Sequence, residues 1–170
     1  MDQRKLDRAR RALGAIGVSL CSAVLAWGQP AASGALSGAL RAHLQDEQFG
    51  IVTSIRGLPL AVRDELQRLF GSATLDIAEP GAGFQGTGAA VNRQLPSRRL
   101  VAAGCSADFH CLVYYERGGT AHTWHVMLFH WTPAATRFEW GGTAPGGLAT
   151  IEDVRKAVLS GVIKDHAGSW

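Results

Sequence analysis

What the chain lacks first is a net charge of its own. Of its 170 residues, 17 are Lys or Arg and 14 are Asp or Glu, a formal charge of +3. That surplus sits in the first 28 residues, where Arg4, Lys5, Arg8, Arg10 and Arg11 face only Asp2 and Asp7. Everything after them balances, so the basic surplus points to the front segment and not to nucleic-acid binding, and no nucleic-acid partner is expected. Cysteine is scarce too: of three, Cys21 falls in the apolar front segment, leaving Cys105 and Cys111 for the rest of the chain. The usual catalytic signatures are missing. There is no G-x-S-x-G elbow for a nucleophilic serine. Gly141 to Gly147 lacks the Gly-Lys-Ser/Thr ending that holds a nucleotide's phosphates, and Gly81 to Gly86 matches G-x-G-x-x-G only in its letters. That motif needs a strand before it and a helix after it, whereas here it follows Glu79-Pro80 and runs into more glycine. Both glycine stretches are expected to be surface connections, Gly81 to Gly86 within a long loop from Gly71 to Gln94.

The basic front and the apolar run from Ala12 to Trp27 have the make-up of a signal peptide, so residues 1–28 are expected to be a leader. Ala26-Trp27-Gly28 offers a cut before Gln29, and the segment around Ser33 to Ala35 offers a later one. Leu20, ahead of Cys21, is too large for a lipoprotein signal. Export predicts a periplasmic or secreted protein with no stable membrane insertion after cleavage, and an oxidising compartment in which Cys105 and Cys111 form a disulfide.

Residues 29–48 read as a linker with a possible short helix carrying Leu40 and Leu44 on one face, and residues 49–170 as a single domain. Leu58, Val62, Leu66, Leu69 and Phe70 recur at helical spacing, with Pro59 in the first turn, Gly71 at the C-terminal stop and an Asp64–Arg68 pair on the wet side. Strands are expected from Arg98 to Gly104, Phe109 to Arg117, Ala121 to Trp131 and Thr136 to Trp140. Gly118-Gly119 signals a two-residue type I′ hairpin turn. The third strand is apolar on both faces and should be central, the fourth half-exposed and at an edge. Thr150 with Asp153 forms the pattern of a capping box ahead of Ile151, Val154, Ala157, Val158 and Val162. The expected fold class is α+β, a four-stranded antiparallel meander with a helix before and a helix after it packed on one face of the sheet.

Among the chemistry-bearing residues, His122, His125 and His130 cannot share one ion: strand geometry puts the first two on opposite faces, and about 3.3 Å per residue separates the first from the last. Glu116 and Glu139 read as charges of a solvated face. No catalytic residue, metal or cofactor is expected, and the chain is not expected to be an enzyme. The remaining candidate is the seven-residue loop Cys105-Ser106-Ala107-Asp108-Phe109-His110-Cys111. Its disulfide is worth about 2.4 kcal/mol on the loop-entropy model and rigidifies Ser106 to His110. Such a loop either staples a hairpin or presents a preorganised contact, with Asp108, Phe109 and His110 as the partner-binding residues.

A short histidine-bearing disulfide loop between two strands, in an exported chain of this size, resembles the Ivy-type periplasmic lysozyme inhibitors, whose loop reads C-K-P-H-D-C. Here five residues separate the cysteines, the Lys-Pro pair is absent, and His110 adjoins Cys111. The likeness extends from the Leu58-Pro59 region through Leu100 to Cys105 and on to Ala157 to Gly161. It implies a small binding protein that plugs the active-site cleft of a lysozyme-type glycoside hydrolase, with Cys105 and Cys111 shaping the plug and His110 and Asp108 meeting the catalytic carboxylates. The alternative is a structural or accessory cell-envelope protein whose disulfide only stabilises it, with a partner surface among Tyr114, Tyr115, Trp124 and Trp131.

Overall fold

The structure, a computed structural model, describes residues 35–86, 92, 94–165 and 170. The expected leader lies outside them. Three helices, α1 (Gly38–Asp46), α2 (Leu60–Phe70) and α3 (Ile151–Ser160), accompany six strands. The strands are β1 (Phe49–Val52), β2 (Arg98–Ser106), β3 (His110–Arg117), β4 (Thr123–Trp131), β5 (Thr136–Ala144) and the two-residue β6 (Lys164–Asp165). They form one antiparallel sheet in chain order. The class is therefore α+β, with two short strands beyond the expected four. No helix among the described residues is long and apolar enough to cross a membrane.

The helices do not share one side of this sheet. Leu44 of α1 and Val154, Ala157 and Val158 of α3 pack on Leu112, Tyr114, Val126, Leu128 and Trp140. On the opposite face Val62 and Leu66 of α2, with Leu58 and Ile77, cover Cys111, Val113, Tyr115, Met127 and Phe129. Successive side chains of a strand point to opposite faces, so β3 and β4 must be apolar throughout once both faces are covered. Residues 111–116 and 125–129 are accordingly buried without a break. Helix α1, whose Leu44 is fully buried in the core, belongs to the same packed body, which therefore extends ahead of residue 49.

Local signals were followed closely at the helix ends. Thr150 Oγ1 accepts from the Asp153 N–H at 3.1 Å while the Asp153 carboxylate accepts from the Thr150 N–H at 3.2 Å, completing the capping box. Gly71 stops α2 in the left-handed conformation at φ 64°. Val162, expected in the α3 stripe, is instead 55% exposed, because Gly161 at φ 76° ends the helix first. Arg68 pairs not with Asp64 but with Glu65, whose two carboxylate oxygens accept from Nε and Nη2 along one edge of the guanidinium at 2.7 and 2.6 Å.

Two glycine readings change for reasons of space. The β3–β4 connection is a loop of residues 118–122 and not a two-residue turn; only Gly119 has a positive φ. A Cβ on Gly118 would sit 1.5 Å from the Gln85 carbonyl oxygen, so that glycine admits the neighbouring loop. Gly141 and Gly142 belong to β5, where a Cβ at Gly141 would lie 2.7 Å from the Trp170 ring and 2.8 Å from the Val126 carbonyl oxygen. The segment at Gly81 to Gly86 is a loop with neither strand before it nor helix after it among the described residues.

Candidate functional site

At one end of β3 the chain turns through only three residues, Ala107 to Phe109, and Cys105 and Cys111 face each other across the β2–β3 register in a disulfide. Three-residue hairpin loops place their last residue in the left-handed region, normally a glycine or asparagine. Here that residue is Phe109, at φ 68°, the one non-glycine residue with positive φ among the described residues. The backbone cost of a Cβ in that region is about 1–2 kcal/mol. Its neighbours hold it there: the Phe109 carbonyl accepts from the Trp131 N–H at 2.8 Å, and its ring meets the Trp131 ring edge-on at 5.7 Å. The ring nevertheless remains 42% exposed, beside exposed Asp108 and Ala107.

His110 points the other way. It is 4% exposed, and its Nδ1 lies 2.8 and 3.0 Å from the two carboxylate oxygens of Glu47. His43 reaches the same Oε1 with its own Nδ1 at 2.7 Å, and Ser106 Oγ donates to Oε2 at 2.5 Å. Because the carboxylate only accepts, both Nδ1 atoms carry protons in this arrangement. Burial holds the His110 imidazole below its ordinary pKa, against an opposing pull from Glu47. His43, Glu47 and His110 each offer a ligand atom within 4.8 Å of the others, which makes them the candidate metal ligands among the described residues. His130 is not in that set, although its ring stands edge-on to His110 at 5.3 Å.

Helix α1 creates this arrangement. Ser37 caps it through a bond from the Leu40 N–H, and one turn apart on its last face come His43 and Glu47. Arg155 of α3 donates to the Glu47 carbonyl at 3.0 Å, and Arg41 donates to the Leu159 carbonyl at 2.5 Å, so α1 is clamped to α3 at both ends of the turn. The sequence carried one signal for this site, the His-x-x-x-Glu spacing in α1. It could not reveal that the spacing would meet a histidine 63 residues further on.

The other histidines and acids settle elsewhere. His125 is buried and stacks on Tyr115 at 5.3 Å, while His122 bonds to Glu116 at 2.7 Å. Glu116 is not a solvated charge: only 5% exposed, it also pairs with Arg99 at 2.6 Å because it lies directly opposite that residue in the β2–β3 register. Glu139 is partly exposed and pairs with Arg137. Tyr114 and Tyr115 are fully buried and offer no partner surface; Trp124 and Trp131 remain partly exposed. A cleft of about 470 Å³ opens at the Glu116 end, with Arg117, Thr120, Thr123, His125 and Thr143 in its lining, and none of the hairpin-tip residues belongs to it. No protein-family model, curated protein or solved structure matches the chain.

Proposed function

We propose that this is an exported, non-catalytic binding protein that presents the disulfide-closed β2–β3 hairpin to a protein partner, with a lysozyme-type glycoside hydrolase as the target to which the loop's resemblance points. The observation that carries the reading is Phe109. A large aromatic residue occupies a backbone position that costs free energy, and it stays exposed at the tip of a stapled turn next to a carboxylate. Strain kept at an exposed tip fits a contact residue better than a stabilising one. Ordering that tip in advance lowers the entropic cost of association. In this reading Asp108 and Phe109 touch the partner, and His110 supports the turn from beneath through Glu47.

The buried position of His110 favours a second reading, in which the loop is a staple and the protein an accessory component of the cell envelope. A lysozyme turnover assay separates the two. The wild-type chain should slow turnover in proportion to its concentration, and the Asp108→Ala, Phe109→Gly double variant should lose at least tenfold in potency. Absence of inhibition across several lysozyme types removes the hydrolase as target. Undiminished inhibition by the double variant removes the tip from the mechanism.

A further inference from the structure

We propose that His43, Glu47 and His110 form a binding site for a divalent transition-metal ion of the zinc type, seated between α1 and the base of the hairpin. The donors are two imidazole nitrogens and one carboxylate oxygen, the set that borderline divalent ions favour, with a fourth position left for water or another ligand. Both Nδ1 atoms converge on one oxygen, Glu47 Oε1, at 2.7 and 2.8 Å. Tetrahedral zinc with bonds of about 2.0–2.1 Å needs donors roughly 3.3 Å apart, so the cluster has to open by about half an ångström. His43, whose side chain is 49% exposed, can swing away from Oε1, and the other pair opens by a small rotation of the His110 ring or the Glu47 carboxylate, each 5% exposed.

The surroundings suit an ion in two further ways. Ser106 holds the far oxygen, Oε2, and Arg155 holds the main-chain carbonyl, so the carboxylate is already oriented by groups behind it. Among the described residues no arginine or lysine forms an ion pair with the Glu47 carboxylate; its ion-pair partners are the two histidines. A buried carboxylate without a permanent cation leaves a charge to be compensated, and a bound divalent ion would compensate it. Glu116 provides the contrast within the same molecule, a buried carboxylate with a histidine that already holds the Arg99 guanidinium. Coordination through Nδ1 moves each imidazole's remaining proton to Nε2, and any second proton leaves to solvent.

The test uses the chelator-treated chain, titrated with zinc alone against a chromophoric competitor and followed in parallel by thermal unfolding. One zinc per chain is expected, with a rise in Tm that grows with zinc concentration, as binding to the folded state requires. His43→Ala, an exposed helix position, and Glu47→Gln, which keeps an acceptor for Ser106, should each weaken zinc binding at least tenfold and remove the Tm rise. His122→Ala should leave both unchanged. Failure to bind zinc saturably below about 100 µM, a level at which a working site would raise Tm measurably, overturns the proposal. So does zinc binding that survives His43→Ala and Glu47→Gln. Neither result bears on the hairpin tip, which the lysozyme assay tests by itself.

Discussion

The two ends of strand β3 hold the same pair of residue types and use them differently. At the Arg117 end, Glu116 lies between Arg99 and His122, covered by Phe84, whose ring stacks against the Arg99 guanidinium at 4.6 Å. At the His110 end, Glu47 lies among His110, His43 and Ser106, and among the described residues no guanidinium pairs with its carboxylate. The first is a closed ion pair, neutralised by the protein itself and packed under an aromatic ring. The second is a carboxylate with imidazole neighbours, one of them open to solvent, directly beneath a turn that exposes a strained phenylalanine. A buried charge alone therefore says little about function; what surrounds it decides whether the charge is spent on the fold or left for a ligand.

Matched substitutions sharpen that difference. Glu116→Gln should cost about 3 kcal/mol, because it leaves the Arg99 guanidinium partly buried without its counter-charge. In metal-free protein Glu47→Gln should cost about 1 kcal/mol, since it strands no permanent cation but keeps one acceptor oxygen where the carboxylate had two. Urea unfolding of the two variants reads the contrast directly, and equal losses would break it. Next in size, the Cys105→Ala, Cys111→Ala double variant should lose about 2.4 kcal/mol on the loop-entropy model. Faster hydrogen exchange should be confined to the β2–β3 tip, leaving the Glu116 end protected; uniform loss of protection would show that the staple serves the whole sheet.

Phe109→Gly should gain about 1 kcal/mol, because glycine adopts a φ of 68° without the steric cost, less what the edge contact with Trp131 contributes. A gain in stability together with a loss of partner binding would mark the tip as a contact. A loss of stability would show that the aromatic pair serves the fold. The smallest effect concerns Tyr114, whose hydroxyl donates to the Pro145 carbonyl at 2.7 Å and whose pKa burial pushes up to about 12. The folded chain keeps this proton while the unfolded chain releases it near pH 10, so stability falls as pH rises from 10 to 12. Tyr114→Phe should cost less than about 1 kcal/mol at neutral pH and flatten that alkaline decline in a pH series of unfolding midpoints.

Much of the fold was legible locally. The stripe at Val62 and Leu66, the stop at Gly71, the capping box at Thr150 and the two-faced apolar run of β4 each follow from short-range pattern or from one side chain reaching a nearby backbone group. Strand β1 was not legible. It spans four residues, Phe49 to Val52, includes a glycine and leaves Ile51 78% exposed, so it becomes a strand only by pairing with β2. The turn at Gly118-Gly119 was misread because one glycine serves space and not φ: it makes room for Gln85, which lies 33 residues away and leaves no trace in the local pattern.

The candidate site divides along the same line. By itself the sequence determined the disulfide pair and the short loop between its cysteines, because these depend on a few adjacent residues; the His-x-x-x-Glu spacing stood in the sequence without marking a site. Only the tertiary structure decided that the helices cover opposite faces of the sheet, that His110 turns inward while Phe109 stays at the tip, and that Glu47 and Glu116 have different companions. Those outcomes depend on strand register and on contacts between segments 17 to 118 residues apart, where no local propensity distinguishes one pairing from another.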